Sequence, residues 1–178
     1  MEQIVATFYQ FVELPDHEDF GERLKKRCEE SDVLGTVILA TEGINATIAG
    51  TKKGIDETLV FLRSDERLAQ MSHRESVTER LVFHRLRIIK RSEIVTLGDP
   101  SVNPRESVGE YVEPEDWNAL ISDPEVILID TRNDYEVEVG TFQGAIDPKT
   151  ETFGEWDDYV KRNHGEDKGK QVAMFCTG

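Results

Sequence analysis

Apolar residues in the first half of the chain recur alternately at the spacing of strands and at the spacing of helices. Residues 3–14 are rich in β-branched and aromatic side chains and stop before a proline, which predicts a strand. Phe20, Leu24 and Cys28 then recur every four residues, which predicts a helix over residues 17–33 with one buried face. This spacing indicates that Cys28 is a small core residue.

The same alternation continues to residue 97. Two apolar runs over residues 35–50, separated by a Glu-Gly pair, predict a β-hairpin. Residues 52–71 have apolar side chains at helical spacing, and residues 80–97 predict a last strand. The predicted order is that of an α+β ferredoxin-like domain (βαββαβ), with two helices on one face of a four-stranded antiparallel sheet. We assign this domain to residues 1–97.

Both periodicities break over residues 98–114, which contain three prolines and two glycines and are expected to form a linker. Beyond the linker, short apolar strands alternate with helices. The strands are predicted over residues 125–132 and 170–176, and the helices over residues 115–123 and 152–164. This order predicts an α/β domain over residues 115–178, with a parallel sheet covered on both faces.

The net charge of the chain argues against some classes of binding partner. The 178 residues include 21 Lys/Arg and 36 Asp/Glu, a net charge of −15, and most of the excess lies beyond residue 98. Such a chain is not expected to coat nucleic acid or to bind an anionic membrane through its overall charge. Because it has no secretory signal and no apolar run near the ~20 residues of a membrane span, we expect a cytoplasmic protein.

One local basic cluster departs from this acidic background. Arg85 and Arg87 share one face of the last strand predicted for the first domain, Lys90 lies on the other face, and Arg91 follows. These four residues form either a solvated strand face or a contact for the phosphates of RNA.

Asp130 and Cys176 lie at the carboxyl ends of the two apolar strands of the second domain, where α/β sheets form their sites. A thiol at such a position becomes a nucleophile when backbone amides stabilise its thiolate. On spacing alone, Cys176 is either such a nucleophile or a buried structural cysteine. The four histidines have no second Cys or His at ligand spacing, so no metal site is predicted.

The segment around the first of these strand ends resembles the rhodanese superfamily of sulfurtransferase domains. The matching residues are Asp130, Arg132, Glu136, Gly140, Gly144, Ala145 and Ile146. The chain departs from the pattern at residues 141–143, where Thr-Phe-Gln replaces the His-Ile of many members. The resemblance implies that residues 115–178 are the N-terminal part of an incomplete rhodanese-like domain. It also assigns the persulfide-bearing position to Cys176.

Over nearly its whole length the chain is similar to the bacterial tRNA uridine hydroxylase family, whose members have a rhodanese domain. The similarity lies in the stretches ATEGINATIAG, GEYVEPEDWN, LIDTRNDYE, GAIDPKTETF and VAMFCTG. It implies an oxidoreductase that converts the wobble uridine of certain tRNAs to 5-hydroxyuridine, with molecular oxygen as co-substrate and tRNA as partner. Cys176 would be catalytic, supported by Asp130 and Arg132. Since family members continue beyond CTG, we expect the chain to be cut within its catalytic loop and to be inactive by itself.

Two other functions are compatible with the same residues. A rhodanese-type sulfurtransferase would pass a persulfide sulfur from Cys176 to a thiol acceptor. A non-catalytic rhodanese-like module would only bind a partner. The sequence has neither a phosphate-binding loop nor a dinucleotide-binding glycine motif, so it does not identify a cofactor. The resemblance implies molecular oxygen as a co-substrate.

Overall fold

The computed structural model describes residues 2–95, 109–164 and 169–176. The chain divides into two compact units, Met1–Val95 and Thr96–Gly178. Most of the linker predicted over residues 98–114 lies outside the described residues. Residues 109–113, which are described, form neither a helix nor a strand.

The first unit has a five-stranded sheet and two helices. Its elements are β1 (Gln3–Phe11), α1 (His17–Glu30), β2 (Leu34–Ala40), β3 (Gly43–Gly50), α2 (Lys52–Arg63), β4 (Arg74–Thr78) and β5 (Leu86–Lys90). The strand order across the sheet is β4-β1-β3-β2-β5. Neighbouring strands are antiparallel except for β2 and β5, which are parallel. The ferredoxin-like arrangement predicted from the sequence is therefore confirmed for β1 to β4.

The prediction for the last strand of this unit is wrong in two respects. The fourth ferredoxin-like strand is β4, which was not predicted, and the strand predicted over residues 80–97 is the shorter β5. Four of the five residues of β4 are exposed, so β4 lacks the alternation of apolar and polar residues that identifies a strand. Because β5 joins the sheet parallel to β2, the sheet is mixed and not purely antiparallel.

The core of the first unit lies between the sheet and the two helices. Phe20, Leu24 and Cys28 of α1 are each at most 1% exposed, which confirms that Cys28 is a core residue. Ile55 and Leu62 of α2 are completely buried in the same cluster. The helical spacing seen in the sequence therefore identified the buried faces of both helices correctly.

The hairpin predicted within residues 35–50 is confirmed, with β2 paired antiparallel to β3. Gly43 begins β3 with φ of +144°, a conformation that favours glycine. A Cβ atom at this position would lie 2.0 Å from the carbonyl oxygen of Gln10 in β1. Glycine is therefore required here because β1 and β3 approach too closely for a side chain.

The second unit is an α/β structure. Its elements are α3 (Pro114–Ile121), β6 (Ile127–Asp130), α4 (Asp134–Val137), α5 (Trp156–Asn163) and β7 (Val172–Phe175). β6 and β7 form a parallel pair, as the sequence predicted. One face of β7 is uncovered in this chain, where Val172 is 40% and Met174 51% exposed. The rhodanese-like identity of this unit stays a prediction.

Candidate active site

The carboxyl ends of β6 and β7 lie side by side and bring Asp130 and Cys176 to the same edge of the sheet. Asp130 is in register with Phe175, and Cys176 follows directly. The backbone N–H and the hydroxyl of Thr131 both donate to the carbonyl oxygen of Phe175, at 3.0 and 2.9 Å. Cys176 is exposed at this edge, and its catalytic role stays a prediction.

Asp130 is the buried centre of a hydrogen-bond network, and it is 0% exposed. Its Oδ1 accepts from the backbone N–H and the Nε of Arg132, at 3.1 and 2.9 Å. Its Oδ2 accepts from Nη2 of Arg132 and from the hydroxyl of Thr141, both at 2.7 Å. The two-point pairing of guanidinium and carboxylate is the strongest geometry available to these groups. Both carboxylate oxygens are therefore occupied in holding Arg132 and Thr141.

The electrostatics of the pair keep both groups charged. Burial by itself would raise the pKa of Asp130, but the hydrogen bonds from Arg132 and Thr141 outweigh it and lower that pKa. The pKa of Arg132 is raised, chiefly by its hydrogen bond to Asp130 and against the effect of burial, with Cys176 among the smaller contributors. Arg132 is therefore a fixed cation near the exposed thiol of Cys176.

Arg132 also holds the loop that follows α4. Its Nη2 donates to the carbonyl oxygen of Gly140 at 2.6 Å. At the start of α4, the Glu136 carboxylate accepts from the backbone N–H of Asn133 at 3.3 Å and completes a capping box. Asp130 is thus linked through Arg132 to the loop that follows α4.

The end of this segment pairs with the sheet through an isolated parallel bridge. Gly144 has φ of +84°, in the left-handed region that glycine adopts most easily. Ile146 then forms a parallel bridge with Ile129. Its N–H donates to Leu128 and its carbonyl accepts from the N–H of Asp130, at 2.8 and 3.0 Å. This bridge fixes the backbone on which the Asp130 carboxylate is placed.

An aromatic cluster packs beside the network and was not predicted from the sequence. The rings of Phe142 and Phe175 meet edge to face with centroids 4.9 Å apart, and Trp117 of α3 lies 5.7 and 6.1 Å from them. The guanidinium of Arg132 lies 5.5 Å from the centroid of the Phe175 ring, within cation–π range. The three rings come from separate elements, so no local spacing in the sequence could have predicted this cluster.

The residues at which the chain departs from the rhodanese pattern belong to this site. Thr141 binds Asp130 through its hydroxyl, and Phe142 belongs to the aromatic cluster. A histidine and an isoleucine at these positions would make neither contact in the same form. The departure at residues 141–143 therefore changes how the Asp130 network is completed.

The four basic residues considered for RNA binding divide between the two faces of the first sheet. Arg87 lies on the face away from the helices, and Arg85 and Arg91 directly precede and follow β5; all three are exposed. Lys90 lies on the helix side, where its ammonium is 3.4 and 4.0 Å from two glutamates of α1. Lys90 is therefore neutralised by α1 and is separated from the three arginines.

Two polar residues of the β2–β3 hairpin hold the segment that follows β5. The carboxylate of Glu42 accepts from the backbone N–H of Ile94 at 2.7 Å, and the amide of Asn45 donates to the carbonyl of Ile94 at 3.1 Å. Ile94 is 2% exposed although it lies outside the core cluster between sheet and helices. Glu42 and Asn45 therefore anchor a segment that covers one end of the opposite sheet face.

Within residues 2–95, 109–164 and 169–176, no three His, Cys, Asp or Glu side chains group so that they could hold a metal ion. No helix in the same ranges is long and apolar enough to cross a membrane.

Residues 3–94 match the model of the UPF0176 acylphosphatase-like domain. The chain belongs to this family. The UPF0176 match coincides with the first compact unit, whose ferredoxin-type α+β fold with a mixed sheet is acylphosphatase-like.

Solved structures resemble the chain more distantly. BlrB, a BLUF protein in its dark state, is 18% identical, with a TM-score of 0.46 over 70% of this chain and 88% of BlrB. An acylphosphatase from Coxiella burnetii is 15% identical, with a TM-score of 0.36 over 49% of this chain and 92% of that protein. Acylphosphatase from Bacillus subtilis is 10% identical, with a TM-score of 0.33 over 50% of this chain and 98% of that protein. We assign no activity to the UPF0176 chain from these likenesses.

Proposed function

We propose that this protein modifies tRNA by hydroxylating the wobble uridine at C5. The observation that carries the proposal is that a UPF0176 unit occurs in one chain with an exposed Cys176 beside the paired Asp130 and Arg132. The motif similarity to tRNA uridine hydroxylases over nearly the whole sequence supports the same function.

The reaction replaces the C5–H bond of the uracil ring with C5–OH. With molecular oxygen as co-substrate, one oxygen atom enters the base and the other leaves as water. Two electrons and two protons must then come from a reductant. A nucleophilic thiolate at Cys176 is suited to add to C6 of the ring, which makes C5 electron-rich and prepares it for oxygen. Loss of the C5 proton and release of the thiolate would restore the ring.

The hydrogen-bonded residues around Asp130 have assigned roles in the proposed reaction. Arg132 supplies a fixed positive charge near the exposed thiol of Cys176. Asp130 fixes the position of Arg132, and Thr141 binds Asp130; neither is expected to touch the base. Thr131 fixes the carbonyl of the residue that precedes Cys176.

The test is a product assay on the intact protein. It would be incubated with unmodified tRNA and oxygen, and the nucleosides analysed by mass spectrometry. We expect 5-hydroxyuridine with the wild type and with Cys28→Ala, which removes the other thiol, and none with Cys176→Ser. Absence of 5-hydroxyuridine above background with the wild type would refute the proposal.

A second candidate is sulfur transfer, which is favoured by the exposure of Cys176 and by the cation beside it. The Cys176 thiolate would attack the outer sulfur of thiosulfate, form a persulfide and release sulfite. Cyanide would then take the outer sulfur as thiocyanate and regenerate the thiolate. Thiocyanate formation that is lost in Cys176→Ser, without any tRNA product, would favour this function. If neither product forms, a binding module is the better description.

A further inference from the structure

The sheet of the first unit has a face away from α1 and α2, which we call the open face. The segment after β5 covers one end of this face, and a row of polar residues crosses it. The register places Arg74 of β4 beside Thr7 of β1, Thr7 beside Thr47 of β3, Thr47 beside Thr36 of β2, and Thr36 beside Arg87 of β5. Because residues directly opposite one another share a face, these five side chains form one line across all five strands. We call this line the threonine row. At ~4.8 Å between strands, it spans about 19 Å from arginine to arginine.

The threonine row is accessible and rich in hydrogen-bonding groups. Thr7, Arg74 and Arg87 are exposed, and Thr36 and Thr47 are half-buried. The hydroxyls of Thr7 and Thr47 lie 3.4 Å apart. A threonine hydroxyl can both donate and accept, so it can bind phosphate oxygens and ribose 2′-hydroxyls. The row therefore presents alternating donors and acceptors between two positive ends.

The strand positions of the open face are basic, in contrast to the acidic chain as a whole. None of the strand positions that the register assigns to this face is Asp or Glu, whereas Arg74 and Arg87 both lie on it. Glu75, the acidic residue of β4, is in register with Ala6 and so lies on the helix side. Among the residues that the structure describes, neither Arg74 nor Arg87 has a carboxylate within salt-bridge distance. The strands of this face thus carry two arginines and no carboxylate in a chain of net charge −15, and Glu42 lies at the end that the segment after β5 covers.

An aromatic residue adjoins the row on the same face. Tyr9 lies two residues beyond Thr7 on β1 and is 41% exposed. Its ring meets that of Phe11 edge to face, with centroids 6.3 Å apart. Aromatic rings on an open sheet face are platforms on which unpaired bases stack, and a four-stranded sheet has room for two or three bases.

We propose that the open face binds single-stranded RNA, with the sugar-phosphate backbone along the threonine row and one base on Tyr9. This inference rests on the proposed function, for which it names the RNA-binding surface. A flat face with hydroxyls, terminal arginines and an exposed tyrosine suits a phosphate chain better than a protein partner, which would require a larger apolar centre. The RNA site includes Arg74 on the far edge strand and excludes Lys90.

The test measures fluorescence anisotropy of a labelled 12-nucleotide oligouridine titrated with the 178-residue chain at several salt concentrations. Arg74→Glu and Arg87→Glu should each weaken binding roughly 5- to 10-fold at low salt. Each should also reduce the slope of log affinity against log salt by about 0.7. Tyr9→Ala should weaken binding roughly tenfold. Thr47→Val, which removes a hydroxyl and no charge, should weaken it a few-fold and leave the salt slope unchanged.

Lys53→Glu is the matched control, because Lys53 lies on α2 with its side chain 85% exposed and the substitution makes the same change in charge. The affinity of Lys53→Glu for oligouridine should stay within about twofold of the wild-type value. Equal losses for Lys53→Glu, Arg74→Glu and Arg87→Glu would overturn the inference, because binding would then follow net charge alone. Absence of oligouridine binding by the wild type at about 50 mM salt would overturn it too. Equally effective competition by polyglutamate would indicate an acidic protein partner in place of RNA.

The tRNA product assay separates this inference from the proposed function. If the double variant Arg74→Glu, Arg87→Glu still forms 5-hydroxyuridine at the wild-type rate, the assignment of RNA binding to the open face is refuted. The proposed function is then unaffected. If oligouridine binding follows the expected pattern while the intact wild-type protein forms no 5-hydroxyuridine, the RNA-binding surface is supported and the proposed function is refuted.

Discussion

Thr131 donates two hydrogen bonds to a single acceptor, the carbonyl oxygen of Phe175, and so fixes the backbone immediately before Cys176. One bond comes from the backbone and persists in any variant, while the other comes from the hydroxyl and can be removed by substitution. This makes the contribution of the side chain measurable by itself.

Thr131→Val should lower the free energy of unfolding of the second unit by about 1 kcal/mol, because one net hydrogen bond is lost while the shape is kept. Both tryptophans of the chain, Trp117 and Trp156, lie in this unit, so urea unfolding followed by tryptophan fluorescence reports on it selectively. Thr152→Val is the control, since its hydroxyl makes only an exposed bond to Glu155 at 3.3 Å. Equal effects of the two substitutions would contradict the role given to Thr131.

Asp130→Asn should destabilise the second unit by about 2–3 kcal/mol at pH 7. Breaking a fully buried ion pair costs about 3–5 kcal/mol, and here Arg132 keeps 18% of its side-chain surface exposed, which reduces the cost. The same fluorescence measurement applies. Glu138→Gln, an exposed substitution in the same segment, should change stability by less than about 0.5 kcal/mol.

The contribution of Asp130 should also depend on pH. Its pKa in the folded protein is lowered below the unfolded value of about 3.9. The stabilisation is therefore complete above the unfolded pKa and is lost as the pH falls through the folded pKa. The difference in unfolding free energy between wild type and Asp130→Asn should be constant from pH 6 to 8 and should shrink below about pH 4. A difference that persists in acid would show that the charge of Asp130 is not what stabilises the site.

The two cysteines should differ sharply in reactivity. Burial raises the pKa of Cys28 to about 11, with a smaller opposing effect from Thr58, and Cys28 is 0% exposed. Iodoacetamide at neutral pH should therefore alkylate the exposed Cys176 and leave Cys28 unmodified, as peptide mass spectrometry would show. Unfolding in guanidinium should make both thiols reactive. Alkylation of Cys28 at a comparable rate in the folded protein would mean that the core between α1 and the sheet opens readily.

The segment after β5 should depend on the two residues that hold it. Ile94→Ala should cost about 2–4 kcal/mol, because the side chain is 2% exposed and its removal leaves a cavity. Glu42→Ala should cost about 1 kcal/mol, whereas Glu42→Gln keeps an acceptor for the Ile94 N–H and should cost less. Hydrogen exchange of β3 amides would report on these changes. Equal effects of Glu42→Ala and Glu42→Gln would indicate that the bond to Ile94 does not stabilise the hairpin.

Strands and helices with one strongly apolar face could be predicted from the sequence. The spacing of Phe20, Leu24 and Cys28 identified the buried face of α1, and the apolar runs of β6 and β7 identified a parallel pair. β4 could not be predicted, because an edge strand with four exposed residues of five does not need apolar alternation. The parallel pairing of β5 with β2 was also missed, since the partner of an edge strand is decided by long-range packing.

The sequence predicted only those residues of the candidate site that lie at strand ends or within recognisable motifs. Asp130 and Cys176 could be named because they stand at the ends of apolar strands, and Arg132 could be named from the resemblance to rhodaneses. The hydroxyl of Thr141 on Asp130 and the ring of Trp117 against Phe175 could not, because these pairs come from segments distant in sequence. Their contacts depend on how loops fold back over the sheet, and no local sequence pattern predicts the path of these loops.

The two edge strands of the first sheet have a consequence for self-association. β4 and β5 are each only five residues long, and both carry charged side chains, among them Arg74 and Glu75 on one edge and Arg87 and Lys90 on the other. An open sheet edge can pair with another copy and seed aggregation, and short charged edges resist this. Replacing Arg74 and Arg87 with valine would remove one charge from each edge and raise its β-propensity. The arginines that we assign to RNA thus also protect the sheet from growing by strand addition.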